Sequence, residues 1–250
     1  MSQKKVDAYK AEKANREKIM KKESIFTPTF VINTLISFLF YIVFYVLTSS
    51  IGTYALQQLH QSTVVSLSLS SVFVIGALIG RVWTGINITR IGMKRLLYIG
   101  GLIFLVLTFG YYLTTNIPLL FLIRVIQGAG FGIGATASGT IAGHVVPASR
   151  RGEGIGYYAL SVTLAAAVGP ALSIMIYSSL GFGSLLGIAL GLLVITFILI
   201  FFVRVKEFSA EERAYALAHE PKGVERYIEK SALPISIIAF LAGFIDSAIL

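Results

Sequence analysis

The feature that most limits what this chain can fold into is a succession of apolar stretches, each long enough to cross a bilayer. A spanning helix needs about 20 mainly apolar residues. Six such stretches are complete, at 29–51, 64–82, 96–113, 118–145, 155–177 and 184–203, and a seventh starts near Leu233 and is still running at Leu250. Apolar residues make up 56% of the chain and charged residues only 13%, against about a quarter charged in a soluble domain. A water-soluble fold of this length cannot hide that much apolar surface. The chain reads as an all-α, polytopic membrane protein.

Lysine and arginine set the orientation. Eight lie in the first 27 residues, Arg90, Lys94 and Arg95 follow the second stretch, Arg150 and Arg151 follow the fourth, and six more lie between Arg204 and Lys230. The connections 48–63, 114–117 and 178–183 hold none. This alternation predicts a multi-pass protein with a cytoplasmic amino terminus. It also predicts four regions: a basic cytoplasmic tail (1–27), a six-helix bundle (28–203), a cytoplasmic central linker (204–232) and an incomplete seventh helix (233–250). No small-residue cleavage site follows the first stretch, so that stretch reads as a retained insertion signal. The tail's charge run reads as solvated and close to anionic lipid headgroups rather than as a nucleic-acid site.

Several chemistries find no support. There is no cysteine, which excludes thiolate metal sites and cysteine nucleophiles. His60, His144 and His219 are far apart, without a carboxylate at ligand spacing. No metal, no cofactor and no enzymatic activity are expected. The run from Arg124 to Gly139, RVIQGAGFGIGATASG, does contain G-x-G-x-x-A at Gly130, Gly132 and Ala135. That dinucleotide fingerprint requires a strand before it and a helix opening after it, and here it lies in the middle of a spanning stretch. The alternative reading is helix packing. Gly128, Gly132, Ala135, Gly139 and Gly143 fall on one helical face, with Gly130 and Gly134 almost opposite. Small residues let helix backbones approach closely in lipid. Gly76 and Gly80, and Gly183, Gly187 and Gly191, show similar spacing.

A few polar groups lie inside the stretches. Arg124 sits about a turn and a half from Pro118, and two readings stand. It snorkels to the outer headgroups, or it faces a bundle interior or water cavity. Gln127, one turn on, adds a second polar group to its face. Asp246 lies roughly 20 Å into the seventh stretch at about 1.5 Å per residue, and reads as a proton carrier or as a structural partner. Asn33, near the start of the first stretch, can join helices or line a pore, and joining is the commoner use. Gly169-Pro170 marks a kink, either a hinge or a packing bend. Between the second and third stretches, Gly85, Arg90, Gly92 and Lys94 form a tight, basic turn. It either sets topology or acts as a charged latch.

Together these residues resemble the major facilitator superfamily, in particular its drug/proton antiporter branch, from about residue 28 onward. Arg124, Gln127, Gly128 and Gly130 match the family's R-x-x-Q-G-x-G pattern. Gly156 and Gly169-Pro170 match part of the antiporter signature, with Ala165, Ser173 and Ile174 at other glycine positions. Gly85, Arg90, Gly92 and Lys94 match part of the G-x-x-x-D-R-x-G-R-R/K motif, with Thr89 in place of the aspartate and Met93 in place of an arginine. Asn33 falls where many members carry asparagine. The resemblance implies a six-helix bundle of two inverted three-helix repeats, plus a truncated seventh helix. It implies proton-coupled efflux of an organic solute or drug across the plasma membrane by alternating access. Arg124, Gln127, Asp246 and Asn33 would serve transport and coupling. Gly128, Gly130, Gly132, Gly169 and Pro170 would serve packing and hinge motion. The partners implied are membrane lipid, a small organic solute, protons and a carboxy-terminal half that the chain lacks. Inward solute/proton symport, or a non-transporting half that binds another chain, are the other readings.

Overall fold

The computed structural model describes Glu12 and residues 24–219. The expected seventh helix, with Asp246, lies outside the described residues, as does nearly all of the basic tail. The described chain is helical, with no strand among the described residues. Its long helices are α1 (Pro28–Gln57), α2 (Thr63–Ile91), α3 (Met93–Phe109), α4 (Ile117–Val145) and α5 (Arg151–Phe202), and a short α6 spans Ala210–Ala218. The five long helices, the third counted with the helical turn that carries it to Tyr112, are long and apolar enough to cross a membrane.

Local chemistry sets the helix starts. Before α1, the Thr27 hydroxyl accepts from the Phe30 N–H at 3.2 Å, and proline occupies the first turn. Ser62 caps α2 through Val65, and Asn116 caps α4 through Leu119. These side chains satisfy amide donors that have no intrahelical partner. In α6, Ser209 and Glu212 form a reciprocal capping box. The described residues divide into two units between Glu207 and Phe208, with α6 in the second.

The fifth and sixth expected crossings form one 52-residue helical element, and Gly181 is its one non-helical position, at φ 76° and ψ 174°. That left-handed φ reverses the chain. Ser173 before it donates to the Val46 carbonyl, and Phe182 just after it stacks on Tyr54 at 4.0 Å. At the far end, Lys94 Nζ donates to the Phe201 carbonyl and Thr29 donates to the Arg204 carbonyl. The outgoing arm therefore runs parallel to α1, and the returning arm comes back to where α1 begins. Pro170 lies within helical backbone. The backbone leaves the helical region at Gly181, inside the expected connection 178–183.

Packing follows a pairwise exchange. α2 packs along α4, and α1 along the outgoing arm of α5, each pair running parallel. α3 contacts both α4 and α5. Swapping α1–α3 with the last three crossings maps the first pair onto the second, as two inverted repeats require.

The α2–α4 seam is the tighter. A Cβ on Gly76 or Gly80 would land on the carbonyl of Val125 or Ala129, and one on Gly128 or Gly132 on that of Phe73 or Ala77. The opposite face, Gly130 and Gly134, meets Ile103 of α3 and Phe40 of α1. Both glycine faces of α4 are thus used. They end early: a Cβ on Gly139 would find only Tyr158 at 3.8 Å, and one on Gly143 nothing within 4 Å. Gly183 and Gly191 are likewise open, and Gly187 meets only a tyrosine hydroxyl. Spacing overstated these positions because nothing in a repeat says whether a neighbouring backbone is there. On α5, every fourth residue from Ser161 through Ala165 and Gly169 to Ser173 is buried. Gly169 abuts Tyr45, so the departures Ala165 and Ser173 still keep a small face against α1.

The turn between α2 and α3 centres on Gly92 at φ 105° and ψ 145°. The Glu207 carboxylate accepts from the N–H groups of Met93 and Lys94, each at 2.8 Å. A carboxylate here satisfies two orphan donors and meets the positive end of the helix dipole. Gly85 has no neighbour where a side chain would stand. Glu207, which the motif does not contain, thus holds this turn through the Met93 and Lys94 amides. Gly92→Ala is expected to cost about 1–3 kcal/mol from backbone strain at φ 105°, and its Cβ would in addition stand 3.0 Å from Glu207. A lowered midpoint of thermal unfolding in detergent checks this, and an unchanged midpoint would count against the strain.

Candidate functional site

Three polar or aromatic layers lie inside the bundle, and the sequence-predicted residues divide between two of them. The first surrounds Arg124, seven residues into α4 and so about 11 Å from its start. Arg124 is fully buried, at 0% exposure, so its side chain does not snorkel to the headgroups. The helix start that is nearest carries no lysine or arginine, and α2 and α1 close over the side chain. Its Nε donates to the Leu69 carbonyl at 3.2 Å, Nη1 to Gln127 Oε1 at 3.2 Å, and Nη2 to Thr48 Oγ1 and the Ser70 carbonyl at 3.3 Å each. The guanidinium also lies 4.7 Å from the centroid of the Phe73 ring, a cation–π distance.

Gln127 continues the network. Its Oε1 also accepts from the Tyr111 hydroxyl at 2.7 Å, and its Nε2 donates to Thr108 Oγ1 at 2.8 Å, which donates to the Phe104 carbonyl. Three helices, α1, α2 and α3, therefore converge on two side chains of α4. Every acceptor is neutral. From Pro28 to Phe202 the sequence has a single carboxylate, Glu153, and it pairs with Arg150 at the helix end at 2.9 Å. A buried cation held only by neutral acceptors is costly. Beyond Thr48 and Ser70 lies a cavity of about 700 Å³ that also carries the hydroxyl residues Ser68 and Ser71.

The second layer is aromatic. Phe44, Phe73 and Phe131 stack or tilt together with centroids 4.9–5.5 Å apart, backed by Phe40 and Phe104. On the side toward α1 and α2 it opens into a cavity of about 320 Å³ bounded by Tyr41, Tyr45, Leu78 and Arg81 as well. Arg81 escaped the sequence reading because it stood next to the expected end of the second stretch. The helix runs on to Ile91, which puts Arg81 about 15 Å inside it. The signal available was a charge followed by another helical run, Val82-Trp-Thr-Gly-Ile-Asn-Ile.

The third layer holds Asn33. It is fully buried, donates from Nδ2 to the Ser138 carbonyl at 2.9 Å, and accepts from Ser138 Oγ at 3.1 Å. Tyr158 of α5 in turn donates to Ser138 Oγ. With both ends of the amide engaged, Asn33 joins α1, α4 and α5. Ser138 is fourteen residues beyond Arg124 on the same helix, about 21 Å along the axis. The structure therefore brings Arg124 and Gln127 together and places Asn33 in a separate joint.

Comparison with known proteins agrees with this architecture. The family model of the Major Facilitator Superfamily matches residues 34–250. Among solved structures, a mutant of the peptide transporter POT in complex with sulfate has a TM-score of 0.65 at 15% identity, over 86% of this chain and 46% of its own. The inward-open xylose transporter XylE from E. coli has a TM-score of 0.61 at 16% identity, over 89% and 56% respectively. The proton:xylose symporter XylE bound to a bromodeoxyglucose has 0.59 at 18% identity, over 70% and 44%. The chain spans about half the length of these structures. Comparison with curated sequences finds no match.

Proposed function

The chain belongs to the Major Facilitator Superfamily, a family of transporters rather than enzymes, and from that premise we propose that it forms the amino-terminal bundle of a proton-coupled transporter exporting an organic solute by alternating access. The observation that carries the coupling is Arg124: a guanidinium at 0% exposure, held by neutral acceptors from α1, α2 and α4. A charge kept in that setting suits a site whose counter-anion comes and goes. Asp246 is the proposed proton carrier, with Gln127 holding the guanidinium in register. In this reading the amino terminus and the linker 204–232 face the cytoplasm, the bundle sits in the plasma membrane, and a second bundle encloses the solute path.

Export is favoured by the partial antiporter signature, Gly156 and Gly169-Pro170. Inward symport is the second reading, because one similar structure is a proton:xylose symporter. Reconstituting the complete protein in vesicles and measuring solute flux with the pH gradient imposed in either direction separates them. Flux that rises when protons run opposite to the solute supports export, and flux that rises when both run together supports symport. Flux indifferent to the gradient would sink proton coupling.

A further inference from the structure

The cavity at the aromatic layer carries a second inference, which rests on the transporter reading and names what the site takes. We infer that the space between α1, α2 and α4 binds an organic anion with a flat apolar body, its acidic group at Arg81 and its body among Tyr41, Phe44, Phe73 and Phe131. The volume, about 320 Å³, is at the small end of small-molecule sites, about 300–1,000 Å³. The walls are aromatic, with polar groups only at one margin. That is the build of a pocket in which ring contacts hold the ligand and one charge orients it.

The sign of the charge follows from the inventory. Among the described residues, the Arg81 guanidinium has one hydrogen-bond partner, the Tyr41 hydroxyl at 3.3 Å. Among the described residues no carboxylate pairs with it: Glu153, the sole acidic residue from Pro28 to Phe202, is engaged by Arg150, and Glu207 by the Met93 and Lys94 amides. The other cation of the bundle, Arg124, lies against the opposite part of the same wall, over Phe73. Both charges that flank the aromatic layer are therefore positive. An organic cation would meet repulsion with no compensating acid among the described residues, whereas a carboxylate or sulfonate would find the planar fork that guanidinium offers.

Depth and direction argue against a lipid headgroup as the occupant. Arg81 is ten residues from Ile91, so about 15 Å from that helix end. Its Cβ leans toward the helix start, away from the nearer end. The bond to the Tyr41 hydroxyl turns the guanidinium toward α1 and the pocket that it shares with Phe44 and Phe131.

The test measures binding and flux separately on the complete protein in phosphatidylcholine vesicles. Equilibrium binding of radiolabelled 1-naphthoate, 1-naphthylmethylammonium and 1-naphthylmethanol reads the pocket without any gradient. Naphthoate is expected to bind at least tenfold more tightly than the ammonium probe. Arg81→Gln should lower naphthoate affinity at least tenfold and leave the neutral alcohol within about twofold, and Arg81→Lys should recover part of the loss. Equal affinity for anion and cation, or an unchanged Arg81→Gln, overturns the proposal. So does displacement of naphthoate by phosphatidylglycerol added to the vesicles, which would assign the site to lipid. Arg81-dependent binding without any flux would sink the transport reading and keep the pocket. Gradient-driven flux of other solutes with no preference among the three probes would do the reverse.

Discussion

Gly128→Val is expected to leave almost no folded protein in the membrane fraction. A Cβ on Gly128 would land on the Phe73 carbonyl, and the amide of Ala77 stands 3.0 Å away. Both are backbone atoms of α2, which cannot rotate aside as a side chain can. To admit the valine, α2 and α4 must separate along the whole seam, because Gly76, Gly80 and Gly132 make the same approach. Overpacking of a well-packed core costs about 1–3 kcal/mol where side chains give way, and more where they do not. Separation would also stretch the bonds from Arg124 to the Leu69 and Ser70 carbonyls. Gly143→Ala is the control. Nothing lies within 4 Å of its added methyl, and alanine is favoured over glycine in a helix by about 1 kcal/mol. It should accumulate as well as the parent or better. Monodisperse elution in size-exclusion chromatography after detergent extraction reads both. A Gly128→Val protein that elutes like the parent would show that the seam tolerates separation.

Much of this fold was legible because the signal is thermodynamic and repeated. Every crossing must present about 20 apolar residues, so the six described crossings could be read from hydropathy along the chain. The α4 glycines were legible as packing faces for the same reason. The limits of those faces were not. Gly139 and Gly143 continue the spacing, but whether a neighbour reaches them depends on where α2 and α3 diverge, which is a tertiary fact. The reversal at Gly181 falls inside the expected connection 178–183, and only its shortness was hidden. Two apolar stretches joined by serines and glycines read as a loop, yet the chain needs only one left-handed residue to turn.

The candidate site was half legible. Arg124 and Gln127 stand out as polar groups one turn apart in an apolar run, and the structure joins them directly at 3.2 Å. Their partners could not be read from the sequence. Leu69 and Ser70 contribute only backbone carbonyls, which leave no trace in residue type, and Tyr111 and Thr108 read as ordinary residues near a helix end. Arg81 was hidden by a boundary. Hydropathy falls after Val82 with an asparagine and a threonine ahead, while helical backbone bonds continue to Ile91. Glu207 was hidden by distance in sequence, more than a hundred residues from the helix start that it caps.

Arg124→Met is expected to keep or raise stability while removing proton coupling. The groups that receive the guanidinium do not depend on it. Leu69 and Ser70 are helical carbonyls with room for a second donor, and Gln127 Oε1 still accepts from Tyr111. Methionine has nearly the length of the arginine stem and places a polarisable sulfur near Phe73. What disappears is a buried charge whose described partners are all neutral. Replacing buried charges by apolar groups of similar volume is often neutral or stabilising by about 1–4 kcal/mol. The thermal midpoint should therefore hold or rise. Flux driven by a pH gradient should fall roughly tenfold to a hundredfold, the equivalent of about 1.5–3 kcal/mol for hydrogen bonds to a charged group. Arg124→Lys should recover little, because an ammonium cannot reach four acceptors in one plane. A destabilised Arg124→Met with normal coupled flux per folded molecule would make Arg124 a structural clasp. A stable one with lost coupling would mark it as a charge retained for transport at the expense of stability.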